Sequence, residues 1–425
     1  MDYVLKYRLF PDSHQREQLD WVRDTVRQLY NHALHRFNRI PESAGTVKQR
    51  VTQVRDEIPD LKDWWTDLTN VYSTVLQQAV EQIATNIENL GILKQNGFDV
   101  GSLNWKAPHE YRSFTYRQRG FELDEKSGPT GRGTLTLKKV NGDNIDVPIR
   151  LHRAIPDEPD VKHVTVKKDT TGAWYACLNV EQDTPEKPAP SEIDTEDTVG
   201  LDLGILKFIH DSAGRQVSRL DLSTDRERLE REHRNLSRKE HRSNNWERQR
   251  RRVAKVHKRM RQKKLDFKHK VAAFYTREYD AVFVEDLNVK PILEGERNGR
   301  NTAEVGWRDF ITILKHHSRK RGCHVVEVDP ADTTKKCNQC GVKTEKPLWV
   351  REHSCPSCGY TTDRDYNAAL NVWERGLSKL GVVHSEDTPV ETGTAVETED
   401  SAAVSASAVV ETGSPCLKEA AVAAE

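Results

Sequence analysis

Four of the seven cysteines fall as two C-x-x-C pairs, Cys337-Asn338-Gln339-Cys340 and Cys355-Pro356-Ser357-Cys358, fourteen residues apart and each followed by glycine. A pair at this spacing turns both thiolates towards one centre, and the following glycine lets backbone amides point at sulfur. Four thiolates also fill a tetrahedral ion completely. The expected chemistry is therefore a structural Zn²⁺ held by Cys337, Cys340, Cys355 and Cys358, with no open position for catalysis. Cys177, Cys323 and Cys416 are scattered, which argues against a disulfide framework. Cys177 and Cys323 lie in apolar runs and read as core residues.

Three acids stand where carboxylates could converge. Asp202 lies inside the apolar run Val199-Gly200-Leu201-Asp202-Leu203, Glu285 ends Ala281-Val282-Phe283-Val284, and Asp365 follows Asp363-Arg364 at the start of a helical pattern. Hydrolysis of a phosphodiester at a two-metal site needs several carboxylates held by rigid elements around two hard cations. A carboxylate inside an apolar strand costs several kcal/mol to desolvate, so Asp202 calls for a cation or a dense set of hydrogen bonds. At the helix start, Asp363 or Asp365 could equally be an ordinary N-cap.

A third feature is electrostatic. Residues 226–270 carry nineteen Lys and Arg against six acids, an excess of +13. Leu229, Leu236, Val253, Val256, Met260 and Phe267 add a thin apolar stripe, which predicts a long helix or a helical hairpin with one basic face. Arg248, Arg250, Arg251, Arg252, Lys255 and Arg259 are its candidate contacts to a nucleic-acid backbone. The whole chain is formally neutral, with 66 basic and 66 acidic residues, but residues 386–425 hold nine acids and one base. The body is thus +8, as expected for a protein with a polyanionic partner.

These residues need a scaffold, and periodicity supplies its outline. Leu19, Val22, Val26, Leu29, Ala33 and Phe37 mark an amphipathic helix, and Leu76, Ala79, Val80, Ile83, Ile87 and Leu90 mark another, with Gly91 as its expected stop. From about 111 to 181 the period falls to two, with Asn141-Gly142 and Thr171-Gly172 at hairpin positions. The short opening strand, Tyr3 to Phe10, has no sheet of its own and is expected to join that one around the helices. A proline-rich linker follows at 183–197. Beyond it, Val199–Leu203, Ala281–Glu285 and Cys323–Val328 read as buried strands and Trp307–Arg321 as a helix, together an α/β sheet. The Ala-, Ser- and Glu-rich tail from 386 lacks the side chains to order itself. No apolar run reaches membrane-spanning length and the amino terminus lacks a signal pattern, so the expectation is a soluble cytoplasmic protein without a membrane partner, located at the nucleoid when on DNA.

Taken in order, Gly200-Leu201-Asp202-Leu203-Gly204-Ile205, Val284-Glu285-Asp286-Leu287, the two cysteine pairs and Asp363-Arg364-Asp365-Tyr366-Asn367-Ala368-Ala369 resemble the TnpB (OrfB) family of transposon-encoded endonucleases. The resemblance is specific over about 197–376 and looser over 1–181. Thr334 stands where Ser is usual, and Asp332 where an aromatic residue is common. The resemblance implies a RuvC-like nuclease whose carboxylates are Asp202, Glu285 and, of the neighbouring pair, Asp365 rather than Asp363.

It also implies an α/β multi-domain chain. A helical recognition lobe (12–100) is inserted in a small β-barrel wedge domain (1–11 and 101–182). A RuvC/RNase H-like mixed sheet (198–380) follows, with inserted basic helices and a zinc ribbon at 333–362. The implied function is DNA cleavage with two Mg²⁺ ions, directed at double-stranded DNA by a guide RNA from the transposon end. Two other readings stay open: a transposase or DNA-end nuclease working without RNA, and a nuclease-derived zinc-containing DNA- or RNA-binding protein. Oligomeric state is left open.

Overall fold

The computed structural model describes residues 2–117, 119–124, 131–153, 161–181, 183–287, 306–347 and 349–382. The acidic segment 386–425 and Cys416 lie outside them. The chain divides into two compact units, with the boundary at 182/183.

The first unit opens with β1 (Asp2–Leu9) and continues through α1 (Ser13–Arg39), α2 (Val47–Asp56), α3 (Ile58–Trp64) and α4 (Ser73–Gln95). Asp12 caps α1 by a reciprocal pair of bonds with Gln15. Six strands follow: β2 (Ser113–Arg117), β3 (Phe121–Asp124), β4 (Arg132–Val140), β5 (Asp143–Arg150), β6 (His163–Lys168) and β7 (Trp174–Glu181). They join β1 in one antiparallel sheet of order β2-β6-β7-β1-β5-β4-β3, with Leu5 opposite Leu178 and Arg8 opposite Arg150. The opening strand thus pairs across the helical insertion. Asn141 and Gly142 take the positive φ values, 51° and 92°, that the tight β4–β5 turn requires.

Two features differ from the sequence reading. Among the described residues β2 and β3 remain edges, so the sheet is a half-barrel where a small β-barrel was expected. The segment entering α4 lies beside this gap: Val71 bridges Val140, and a Cβ on Gly120 would come within 2.7 Å of the Tyr72 ring. Helix α4 also runs through Gly91 to Gln95, and the turn comes at Asn96-Gly97, where Gly97 has φ 78°. One interior glycine costs a helix only about 1 kcal/mol, which the following good helix formers tolerate. The stripes of α1 and α4 and the inner face of the sheet form one continuous hydrophobic core.

The second unit is built on β8 (Thr198–Leu203), β9 (Lys207–Asp211), β10 (Gln216–Ser218), β11 (Ala281–Glu285) and β12 (His324–Val328). The order is β10-β9-β8-β11-β12, with β8, β11 and β12 parallel and the other two antiparallel. Between β10 and β11 lie α5 (Ser223–Ser237) and α6 (Asn244–Glu278), and α7 (Trp307–Arg321) precedes β12. A two-stranded ribbon, β13 (Glu352–Ser354) and β14 (Thr361–Asp363), leads into α8 (Arg364–Leu380).

Every residue of β8 and β11 is buried, because helices cover both faces of the sheet. Val199, Leu201, Leu203, Val282 and Val284 pack with Tyr275 of α6 and Phe310 and Leu314 of α7. Ala281 and Phe283 pack with Val372 and Leu377 of α8. Two glycines let α8 sit this close: a Cβ on Gly200 would lie 2.5 Å from the Ala369 carbonyl oxygen, and one on Gly376 would strike the Phe283 ring.

Candidate carboxylate centre, cysteine cluster and basic hairpin

Strand alternation decides where the acids point. Val199, Leu201 and Leu203 face α6 and α7, so Thr198, Gly200 and Asp202 face α8, and Glu285 follows Phe283 to the same side. The Trp373 indole of α8 donates to the Thr198 hydroxyl at 2.7 Å, marking that face. Val284 stands opposite Leu201, which makes Asp202 and Glu285 the next positions on adjacent parallel strands. Both are buried, at 7% and 6% exposure. Burial, and then the charge of Glu285, push the Asp202 carboxyl well above the usual carboxylate range, with Asp363 adding to the shift and Arg351 and Arg364 opposing it. Burial also raises Glu285, against the Thr333 hydroxyl, which donates to its Oε1 at 2.5 Å, and the charge of Arg375.

The carboxylates at the start of α8 lie near this pair, with Asp363 close enough to act on the Asp202 charge, but Asp202 and Glu285 are not among the ligand atoms that converge within 4.8 Å there. Asp363 is the N-cap, its Oδ1 accepting from the backbone amides of Asp365 at 2.8 Å and Tyr366 at 3.2 Å. Asp365 sits in the first turn, its carboxylate bound by the Arg351 guanidinium. His210 of β9, directly opposite Asp202, brings Nδ1 to 3.4 Å from Asp363 Oδ1. The ligand atoms of His210, Asp363 and Asp365 all lie within 4.8 Å of one another. Of the neighbouring acids, Asp363 acts on the Asp202 charge, whereas Asp365 is tied to Arg351.

The four paired cysteines also meet. All their sulfurs fall within 4.8 Å of one another, with Cys337 Sγ 3.7 Å from Cys358 Sγ and Cys340 Sγ 3.5 Å from Cys355 Sγ. Zinc–sulfur bonds of about 2.3 Å set tetrahedral edges of roughly 3.8 Å, so the donor set fits such an ion. The two knuckles have the same turn: Gly341 N donates to Cys337 O at 2.8 Å and Gly359 N to Cys355 O at 3.0 Å, with φ of 74° and 73° at the glycines. The Cys358 backbone amide leads the groups that hold the Cys355 thiol down, at about 6.

Polar ties join the knuckles to the carboxylate centre. Asn367 donates to Lys336 O at 2.8 Å and accepts from Asn338 N at 3.1 Å, while Asn371 donates to Thr333 O at 2.8 Å and Lys336 O at 2.7 Å. Buried Arg364 reaches Pro347 O at 2.9 Å and Thr334 Oγ1 at 3.3 Å. Thr333, His210, Arg351 and these two asparagines were not singled out from the sequence. Two asparagines four residues apart on an otherwise apolar helix face were the available signal for Asn367 and Asn371; His210 and Arg351 had none.

The basic run forms a hairpin of α5 and α6. Ser243 caps α6 by accepting from Trp246 N at 3.1 Å, and Gln249 bonds Glu232 on the facing helix. Towards the other end, buried Asp225 holds Arg259 at 3.2 Å and Lys263 at 2.5 Å. Of the six named bases, Arg250 pairs with Glu247 and Arg259 with Asp225, whereas Arg248, Arg251, Arg252 and Lys255 are exposed and form no ion pair among the described residues.

Comparison with known proteins matches three family models: "Probable transposase" over residues 176–294, "Cas12f1-like, TNB domain" over 307–372 and "Helix-turn-helix domain" over 1–42. The last span is here a strand and one long helix. A "Putative RNA-guided DNA endonuclease" of Streptomyces pristinaespiralis is 31% identical over 383 residues, 88% of this chain and 89% of the relative. The "Putative RNA-guided DNA endonuclease InsQ" of Escherichia coli strain K12 is 29% identical over 89% of this chain and 93% of its own length. In fold, the chain is similar to the protein in a Cas12f1–sgRNA–target DNA complex, with a TM-score of 0.57 at 13% identity over 85% of this chain and 83% of that one.

Proposed function

The chain belongs to the TnpB (OrfB) family of transposon-encoded RNA-guided DNA endonucleases, and on that premise we propose that it cuts double-stranded DNA at Asp202, Glu285 and Asp365, directed by a guide RNA from the transposon end. The observation that carries this reading is the pair Asp202 and Glu285: two buried carboxylates on adjacent strands, each raised by desolvation, facing the start of a helix that supplies a third. Such a cluster is costly unless cations compensate it. Mg²⁺, when bound there as two ions, would supply Lewis-acid activation of water and stabilise the leaving oxygen.

The chain's own groups prepare that site. Thr333 fixes the Glu285 rotamer through its hydroxyl, and the Asp363 cap orients the first turn that carries Asp365. Arg351, bonded to Asp365 and close enough to act on Asp202, places a cation where a phosphate would enter. Cys337, Cys340, Cys355 and Cys358 hold a structural Zn²⁺, and through Asn367 and Asn371 the knuckle that Cys337 and Cys340 form braces α8. Arg248, Arg251, Arg252 and Lys255, exposed bases of α6 with no ion pair among the described residues, contact a nucleic-acid backbone, with Arg250 and Arg259 alongside. The β-strands and helices of residues 2–181 serve as wedge and recognition regions, and base pairing supplies target choice.

Sequencing the RNA that copurifies with the protein, then reprogramming it, tests the proposal. A single RNA species whose altered guide segment redirects cleavage in the presence of Mg²⁺ or Mn²⁺ is expected. Cleavage by RNA-free protein would instead favour a nuclease that reads DNA directly.

A further inference from the structure

His210 is the one group of the carboxylate cluster that does not fit a site built only for Mg²⁺. It lies on β9 directly opposite Asp202, so the two side chains share a face of the sheet, and it is 5% exposed. Its Nδ1 stands 3.4 Å from Asp363 Oδ1, outside the usual range of a hydrogen bond to oxygen. Asp363 Oδ1 is already occupied by two backbone amides, which leaves Asp363 Oδ2 as its oxygen for an ion shared with the imidazole, neighbouring donors on an octahedral ion with ligands at about 2.1 Å being roughly 3 Å apart. The atoms of His210, Asp363 and Asp365 close within 4.8 Å. Beside them, Asp202 is more than nine-tenths buried and accepts no hydrogen bond among the described residues, the charges of Arg351 and Arg364 opposing its desolvation only from a distance.

We infer that His210 is a nitrogen ligand of this centre, which therefore takes a first-row transition ion such as Mn²⁺ in preference to Mg²⁺. Mg²⁺ seeks oxygen donors and keeps its waters, whereas imidazole is a good ligand for first-row transition ions. The inference rests on the reading of Asp202, Glu285 and Asp365 as a metal site, and adds a donor and an ion class to it. Asp363 then has two tasks, capping α8 and facing the ion that His210 holds.

Electron paramagnetic resonance of Mn²⁺ added to the zinc-replete full-length chain tests this without relying on activity. Pulsed spectra of the wild type should show nitrogen coupling that changes on ¹⁵N-histidine labelling and disappears in His210→Gln. Mn²⁺ affinity in that variant should fall on the order of tenfold, while Mg²⁺ affinity stays nearly constant. The labelled wild type keeps the test valid if the variant folds poorly. Bound Mn²⁺ without nitrogen coupling, or coupling that survives His210→Gln, overturns the inference; in either case the carboxylate reading stands if Glu285→Gln still weakens that Mn²⁺. Binding unchanged by both Glu285→Gln and His210→Gln overturns both.

Discussion

Asp363 and Asp365 are two residues apart yet have different work. The Asp363 oxygen is occupied by two backbone amides, the geometry of a helix cap, whereas the Asp365 carboxylate faces the Arg351 guanidinium and has no amide to satisfy. Asp365→Ala should therefore bind guide RNA and target as the wild type does while cleavage falls by orders of magnitude. Asp363→Ala should cut measurably and lose about 0.5–2 kcal/mol of stability from the missing cap. Paired binding, cleavage and thermal-unfolding measurements on the two variants check this; a dead Asp363→Ala beside an active Asp365→Ala would exchange their roles. Of the cluster, Asp202 and Glu285 were legible in the sequence because an acid within an apolar strand has no inexpensive structural role. His210 was not, since a lone histidine becomes informative only when the register sets it opposite Asp202.

At the scale of elements, the cysteine knuckles and the basic hairpin differ in what holds them. The ribbon strands are three residues each, too short to be stable alone, and on the proposed reading an ion at the four thiolates supplies their folding energy. One zinc per chain is expected, and Cys355→Ser should release it, as elemental analysis would reveal. Asn371→Ala should instead keep the zinc but destabilise the unit by about 1–3 kcal/mol, because the buried Thr333 carbonyl loses its donor and the Lys336 carbonyl keeps only that of Asn367. The α5–α6 hairpin has only a thin apolar seam and is tied by Gln249 to Glu232 and by Asp225 to Arg259 and Lys263. Changing Arg248, Arg251, Arg252 and Lys255 together to Gln should weaken nucleic-acid binding and flatten its dependence on salt concentration. Changing Arg250 and Arg259 should flatten it less, since each already neutralises an acid. Equal slopes for the two variants would show that the internal pairs do not matter.

For the whole molecule, each unit has a core of its own, one over residues 2–181 and the other on both faces of the five-stranded sheet. Among the described residues, the four clustered cysteines lie in the second. Calorimetry should therefore resolve two unfolding transitions, and removal of zinc by a chelator should lower only one of them. A fragment ending at residue 181 should reproduce the transition that the chelator leaves unchanged. Displacement of both transitions by the chelator would mean that the units unfold as one.

What the sequence determined by itself was local: the two knuckles, the acids at strand and helix ends, the helix stripes, the period-two strands and the +13 run. Each is a pattern of neighbours that carries its physical reason within a few residues. Only the tertiary structure decided the rest. It turned Asp202 and Glu285 to the same face, brought the start of α8 above them, seated that helix through Gly200 and Gly376, and left the seven-stranded sheet open. It also let α4 run past Gly91. These outcomes depend on strand register and on contacts between residues far apart in the chain, which no local periodicity encodes.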